Sequence, residues 1–423
     1  MAKKKNKNTE HQNDKIRAAQ CRNEFFRKLK YIIDSTCGKH IFPLIPRHIL
    51  EDTYVNRCSS FKVVADPGSN VSELILNFIR ITLNKSSKTH IVPLHGYNIE
   101  ISIYDYYTIC LSIIMLHVRC GCADFPQVTL VRETLDKYVK DVDKAKHVIE
   151  RMNILLCTYN WHGSDLRKSL YWYKHKFVSP ESIPNLTENR IIAYSVVPEM
   201  IHVEIDGKAR PAYRLGWAFV EYGPKWLSLK PSQLGIKNAF AEIPLDVYIQ
   251  SHALNRLSER VDCFYDGLTQ FNLYNSLKNP AITYDANNKL LIEFSFFDNK
   301  AGYFRADIVN GIILIRTFLF ITNSGTPEGL KLEKNTGLKL LDKKYLEIDK
   351  LSTFMNSDLG TNEAARKVLT SSGCQSIIDL HEKMKKIAFR KDNSIHFDSM
   401  LAYMDINKSS ISAKETECIL ESV

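Results

Sequence analysis

The sequence predicts an α+β protein, with a helical N-terminal domain, an antiparallel β-sheet central/C-terminal domain with packing helices, and a helical C-terminal extension. Three observations carry this class. Residues 290–297, 303–309 and 312–321 alternate apolar and polar side chains at a period of two and are rich in β-branched and aromatic residues. Asn310-Gly311, between the last two runs, tolerates the positive φ that a two-residue hairpin turn needs at both positions. Residues 15–35 and 128–156 instead space their apolar side chains at helical intervals.

In chain order, residues 1–14 open with Ala2-Lys3-Lys4-Lys5-Asn6-Lys7 and form a basic arm expected to be disordered. Residues 1–30 hold ten Lys/Arg against three Asp/Glu, so much of the net charge of +10 sits in a leader rather than in the body. Lys3, Lys4, Lys5 and Lys7 are therefore candidate contacts to a nucleic-acid backbone through counterion release. Residues 15–178 are expected to form a mainly helical domain. It has a helix at 15–35, a short strand at 61–64, a helix at 71–83, a hairpin around His95-Gly96, a buried apolar helix at 102–119 and one long amphipathic helix at 128–156.

Tyr159-Asn160-Trp161-His162 and Leu170-Tyr171-Trp172-Tyr173-Lys174-His175-Lys176 interleave aromatic and basic residues. Such a surface stacks bases and holds phosphates; the competing reading is an aromatic helix packed into an interior. Pro180 marks a linker near 179–185, and 186–330 is expected to be an antiparallel β domain. Its first meander, 190–217, turns at Asp206-Gly207 and is expected to join the later strands. Beyond Thr326-Pro327, residues 331–404 read as a helical extension and 405–423 as a polar tail, with Lys383, Lys385, Lys386, Arg390 and Lys391 as a second basic patch.

The central stretch, 248–322, carries the chemistry. Residues 251–277 read as one helix with Ser251 as N-cap, on which His252, Arg256 and Arg260 recur at steps of four. The Asn310-Gly311 turn sets Val309 opposite Ile312, Asp307 opposite Leu314 and Arg305 opposite Arg316. A five-residue loop at 298–302 sets Glu293 opposite Asp307, so that one face gathers Glu293, Ser295, Arg305, Asp307 and Arg316. Two arginines side by side repel. Either the neighbouring carboxylates neutralise them, or they await a phosphate, which guanidinium groups grip through paired donors.

A Ser-His-Ala-x-x-Arg-x-x-x-Arg helix followed by a four-stranded antiparallel sheet resembles the bacterial RNase toxins of the RelE/barnase-like group, over about a fifth of the chain. That resemblance implies cleavage of RNA without a metal. Its phosphate-handling residues would be His252, Arg256, Arg305 and Arg316, with His252 or Glu293 as general acid or base.

Composition bounds the alternatives. With 423 residues, 44% apolar and 25% charged, the chain is long enough for two or three domains with ample core. Its ten cysteines include no Cys-x-x-Cys and point to free thiols in a reducing cytoplasm. No Gly-x-x-x-x-Gly-Lys cradle is present, no cofactor is implied, and the longest apolar run is too short to cross a bilayer. The leading expectation is a cytoplasmic, bacterial, nucleic-acid-contacting protein with a metal-independent RNA-cleaving module, RNA ranking ahead of DNA. The alternative is a non-catalytic nucleic-acid- or protein-binding subunit of a mobile-element or phage-defence system, with a protein partner or inhibitor. A metal-dependent nuclease ranks last, because Glu293 with Asp307 is the sole carboxylate pair in reach.

Overall fold

The computed structural model describes residues 2–179, 187–205, 207–237, 240–357 and 359–386, with side chains from 13 to 384. The side chains of Lys3, Lys4, Lys5, Lys7, Lys385 and Lys386, most of the linker, Arg390, Lys391 and the polar tail lie outside the described set. The chain divides into two compact units, residues 1–157 with 172–195, and residues 158–171 with 196–423.

The first unit holds α1 (Ala2–Thr36), α2 (Arg47–Val55), α3 (Glu73–Thr89), α4 (Ile103–Asp105), α5 (Ser112–Gly121), α6 (Val128–Lys140) and the start of α7 (Lys146–Gly163). α1 takes in residues 2–14 of the stretch read as a disordered arm, and one helix runs from Ala2. From residue 25 its apolar stripe, including Leu29, Ile32 and Ile33, is buried. α3 begins where Ser72 accepts a hydrogen bond from the Ile75 amide, an N-cap that satisfies an otherwise orphaned donor.

The single long helix expected at 128–156 is two. Asp141 turns extended, and its carboxylate takes the Lys144 amide, a local competitor that ends α6 and starts the next turn. Two short strands, β2 (Ile91–Pro93) and β3 (Glu100–Ser102), form the expected hairpin across Gly96, which has φ +79°. This otherwise helical unit also contains a three-stranded sheet. β1 (Lys62–Ala65) lies parallel to β5 (Glu188–Val196), and β5 neighbours β4 (Leu170–Val178).

In the second unit, the hairpin β6 (Met200–Ile205) and β7 (Lys208–Arg214) forms one end of the main sheet. A small pair, β8 (Gly216–Phe219) and β9 (Gly223–Trp226), and the short β10 (Ser228–Leu229) follow. β11 (Leu245–Gln250) runs antiparallel to β7 and parallel to β15 (Ile312–Phe320). The order across the sheet is β12 (Ile282–Tyr284), β13 (Leu290–Phe296), β14 (Asn299–Val309), β15, β11, β7, β6, so the 200–214 hairpin does join the later strands. Both ends of the expected meander leave it: residues 190–196 belong to β5, which pairs with β1, and Gly216 and Trp217 pair with β9.

The helix expected at 251–277 breaks into α8 (Ser251–Arg260) and α9 (Asp266–Lys278). Nothing in residues 261–265 forbids a helix; tertiary partners capture them. The Asp262 carboxylate accepts from the amide and hydroxyl of Ser352, at 3.0 and 2.7 Å, and Phe264 stacks on Phe296 at 4.3 Å. Gln250, not Ser251, occupies the N-cap position of α8 and makes no side-chain cap. α9 packs on β13, and Phe294 and Phe296 of that strand, Phe304 of β14 and Phe318 of β15 are buried edge to face and tilted against one another.

The C-terminal helices are α10 (Pro327–Thr336), α11 (Leu340–Tyr345), α12 (Leu351–Met355), α13 (Glu363–Ser371) and α14 (Gln375–Lys386). α14 packs on β14, and Lys383 donates to the Phe297 carbonyl at 2.8 Å rather than standing in an open basic patch.

Candidate nucleic-acid interface

The strand register overturns the arginine pair. Val309 faces Ile312 and Asp307 faces Leu314, as the Asn-Gly turn requires, but the register shifts between Arg305 and Ala306. Arg305 pairs with Thr317, and Arg316 is the extra residue of a β-bulge. The physical gain is plain: Arg316 reaches Asp307 at 2.9 Å instead of facing a like charge. Arg305 is partly buried on the strand, with a buried Nε that has no hydrogen-bond partner.

The expected five-residue loop is also absent. Phe296 pairs with Asn299, leaving Phe297 and Asp298 as a two-residue turn with φ of +50° and +64°. Non-glycine residues adopt this region at a cost, met here by tertiary hydrogen bonds. The Phe297 amide donates to Asn272 at 2.9 Å, and its carbonyl accepts from Lys383. A second shift, between Phe294 and Ser295, sets Phe294 against Gly302, where a Cβ would lie 2.3 Å from the Leu319 carbonyl oxygen. Glu293 therefore faces Tyr303, not Asp307. It lies 3.6 Å from Lys300, whose ammonium is held closer, at 2.6 Å, by Glu328.

His252 is exposed at the start of α8. Partial desolvation, then the positive charges of Arg256 and Arg210, hold its imidazole below the ordinary value. Arg256 is paired with Glu259 at 2.8 Å, and Arg260 with Asp349 at 2.5 Å. The open cleft of 750 Å³ that both arginines line also carries Glu259, Asp262, Glu347 and Asp349, so its cations meet as many carboxylates. His252, Glu293, Arg305 and Arg316 do not converge; none lines this cleft or the smaller one between α8 and α9. Among the described residues, no three His, Cys, Asp or Glu side chains cluster as metal ligands, and no helix is long and apolar enough to cross a membrane. None of the nine described cysteines is in a disulfide.

The aromatic and basic residues of 170–176 are arranged differently. They form a strand, not a helix, and alternation splits them between two faces. Tyr173, with Val63, Ile191 and Ala193 of the neighbouring strands, is buried on the core side. His175 shares that side, packed 4.8 Å from Tyr107 and 4.7 Å from Phe177 and in contact with Asn189. Burial holds its imidazole below the ordinary value, partly offset by the Asn189 hydrogen bond.

The opposite face presents Trp172, Lys174 and Lys176 from β4 and Arg190, Ile192 and Tyr194 from β5. Lys62 and Val64 of β1 stand in register with Arg190 and Ile192. The rings of Trp172 and Tyr194 lie 5.2 Å apart at an interplanar angle of 11°, and the Lys174 ammonium sits 5.6 Å from the Tyr194 centroid. Glu188 takes Arg190 at 2.6 Å and Lys62 at 3.2 Å, and the Arg190 hydrogen bond above all keeps its carboxyl below the usual range. Lys174 and Lys176 have no carboxylate partner among the described residues. The result is a stacked aromatic pair beside two uncompensated ammonium groups on one sheet face.

The other aromatic run of the sequence is interior. Tyr159, Asn160 and Trp161 are buried in α7, and Trp161 packs on Phe271 at 5.1 Å. Tyr194, Arg190 and Lys62 were not singled out as site residues by sequence reasoning. The parallel pairing of β1 with β5 joins segments more than a hundred residues apart, and only the alternation Arg190, Ile192, Tyr194 hinted at an outward face.

Comparison with protein-family models, curated proteins and solved structures returns no match. The toxin resemblance of residues 248–322 thus stands on the residues quoted for it.

Proposed function

We propose that this protein binds single-stranded nucleic acid, RNA ahead of DNA, through the outer face of the β1–β5–β4 sheet, and that it does so without cutting. The observation that carries the reading is the stacked pair of Trp172 and Tyr194 flanked by Lys174 and Lys176. Every base has a π-face, so an aromatic platform accepts any unstacked base, at about 1–3 kcal/mol each, while adjacent ammonium groups follow the phosphates. RNA ranks first because its sequence-bearing targets are single-stranded loops and ends whose bases are free to stack on side chains. The basic leader, with Lys3, Lys4, Lys5 and Lys7, would add counterion release. Cleavage loses its premise once Arg316 is committed to Asp307 and His252 stands beside Arg210 and Arg256.

The test is fluorescence anisotropy with labelled oligouridine, oligodeoxythymidine and a duplex of equal length. Single strands are expected to bind and the duplex to bind more weakly. Trp172→Ala should weaken the single-strand complex by about 5- to 100-fold. Lys174→Ala and Lys176→Ala should each flatten the plot of log affinity against log salt by about 0.7. Binding that ignores all three substitutions sinks the interface. RNA incubated with and without chelator should stay intact; chelator-resistant cleavage abolished by Arg305→Ala would restore the nuclease.

A further inference from the structure

The second unit contains an apolar groove that the proposed interface does not use. It has a volume of 510 Å³ and lies between α10, α12 and α13. Leu332 of α10, Phe354 of α12 and Ala365, Val368 and Leu369 of α13 line it, and no charged side chain does so among the described residues. Phe354 and Leu369 are each 7% exposed, whereas Val368 is 39% exposed. Ala365, Val368 and Leu369 fall at helical spacing, with Glu363, Arg366 and Lys367 on the other faces of α13. That stripe is the kind a helix buries, and part of it is left open.

The chain carries an occupant of matching pattern. Residues 387–423 follow α14 and lie outside the described set. Within them, Phe397, Met400, Leu401 and Met404 are the only apolar residues spaced i, i+3, i+4, i+7. Those are the anchor positions by which a helix lays one face into a groove. Residues 392–407 contain Asp398 and Asp405 but no Lys or Arg. Lys367, next to Val368 on α13, is exposed without a carboxylate in ion-pair contact among the described residues. Reach is sufficient as well. α12 and α13 both pack on α14, the helix from which the segment departs. The ten residues 387–396 span up to about 33 Å when extended. α14, with 12 residues, is about 18 Å long. The chain is therefore long enough to double back along α14 to the groove.

We infer that residues 397–404 dock in this groove as a helix of the same chain, setting Phe397, Met400, Leu401 and Met404 against Leu332, Phe354, Val368 and Leu369. The gain is burial of apolar surface on both sides, with Asp398 and Asp405 left on the hydrated side. A second copy of the chain would use the same anchors, but only at a yield that rises with protein concentration. A small apolar ligand would leave the segment undocked.

The test replaces Phe397 by the photoreactive p-benzoylphenylalanine in the full chain and maps the cross-links by mass spectrometry after irradiation. Cross-links within one chain to residues 327–336 or 363–371 are expected, at a yield independent of protein concentration. Val368→Glu, at the open side of the groove, should cut that yield by about tenfold, since a carboxylate there resists burial. Leu401→Asp in the segment itself should do the same, which keeps the test decisive should Val368→Glu misfold. Leu401→Asp should also raise the fluorescence of the dye anilinonaphthalene sulfonate severalfold, because the groove is uncovered. Cross-links between chains would give the groove to a second copy and overturn the docking. Cross-links elsewhere in the chain, or none, overturn it too. So does a yield indifferent to Leu401→Asp, or a dye signal as strong before that substitution as after it.

Discussion

Two sheets in this protein carry aromatic residues on alternating positions, and they do opposite things with them. In the second unit, Phe294, Phe296, Phe304 and Phe318 are at most 2% exposed. In the first, Trp172 and Tyr194 stack on an outer face, half-buried, with lysines as neighbours. The difference is in what fills the positions between the rings. Phenylalanines interleave with aliphatic residues across three strands and leave nothing polar to solvate. Trp172 and Tyr194 share their face with ammonium and guanidinium groups that must stay hydrated. Charge on the same face, not aromatic content, separates a core from a platform.

The largest contrast is in stability. Phe304→Ala empties a fully buried site between the rings of Phe294 and Phe318 and should cost about 3–5 kcal/mol in urea unfolding followed by fluorescence. Trp172→Ala should lower the unfolding midpoint far less while removing nucleic-acid affinity. If Trp172→Ala proves as costly to stability as Phe304→Ala, the outer face is a covered core after all.

Acid should separate the two faces of the first unit's sheet next. His175, on the core side, is held by burial below the ordinary imidazole value of 6.5. The folded state prefers the neutral ring, so its contribution is complete above that value and is lost as pH falls through the lower, folded value. Urea midpoints should decline on acidification below neutrality, and His175→Phe should flatten the decline. An unchanged pH profile in that variant would place the titrating group elsewhere.

The smallest effect belongs to the bulged arginine. Asp307→Asn removes the partner of Arg316 at a pair about three-quarters buried on both sides, at a cost of about 0.5–1 kcal/mol. Nucleic-acid affinity should not change with it. A marked gain in affinity on freeing Arg316 would move the interface to the second unit.

Much of the architecture is legible in the sequence. The Asn310-Gly311 turn set two register pairs correctly, Val309 with Ile312 and Asp307 with Leu314, and the period-two runs became β13, β14 and β15, with β14 starting four residues early. The candidate site was not readable to the same depth. Its central claim required β14 and β15 to stay regular for five residues past the turn, and a bulge intervened at the point where two like charges would have met. The Phe297-Asp298 turn was missed because a phenylalanine rarely adopts positive φ; Asn272 and Lys383, distant in sequence, hold it. The aromatic strand was found, but its partners Arg190 and Tyr194 arrive by a parallel pairing with no local signature.

The sequence by itself determined the class, the hairpins and which residues alternate, because these depend on neighbours within a few positions. Tertiary structure alone decided where the regularity fails: α8 stops so that Asp262 can take Ser352, and Arg316 bulges out beside Asp307. Such breaks are settled by a hydrogen bond or an ion pair to a group that only the folded chain brings near. A site built from side chains across strands inherits every one of them.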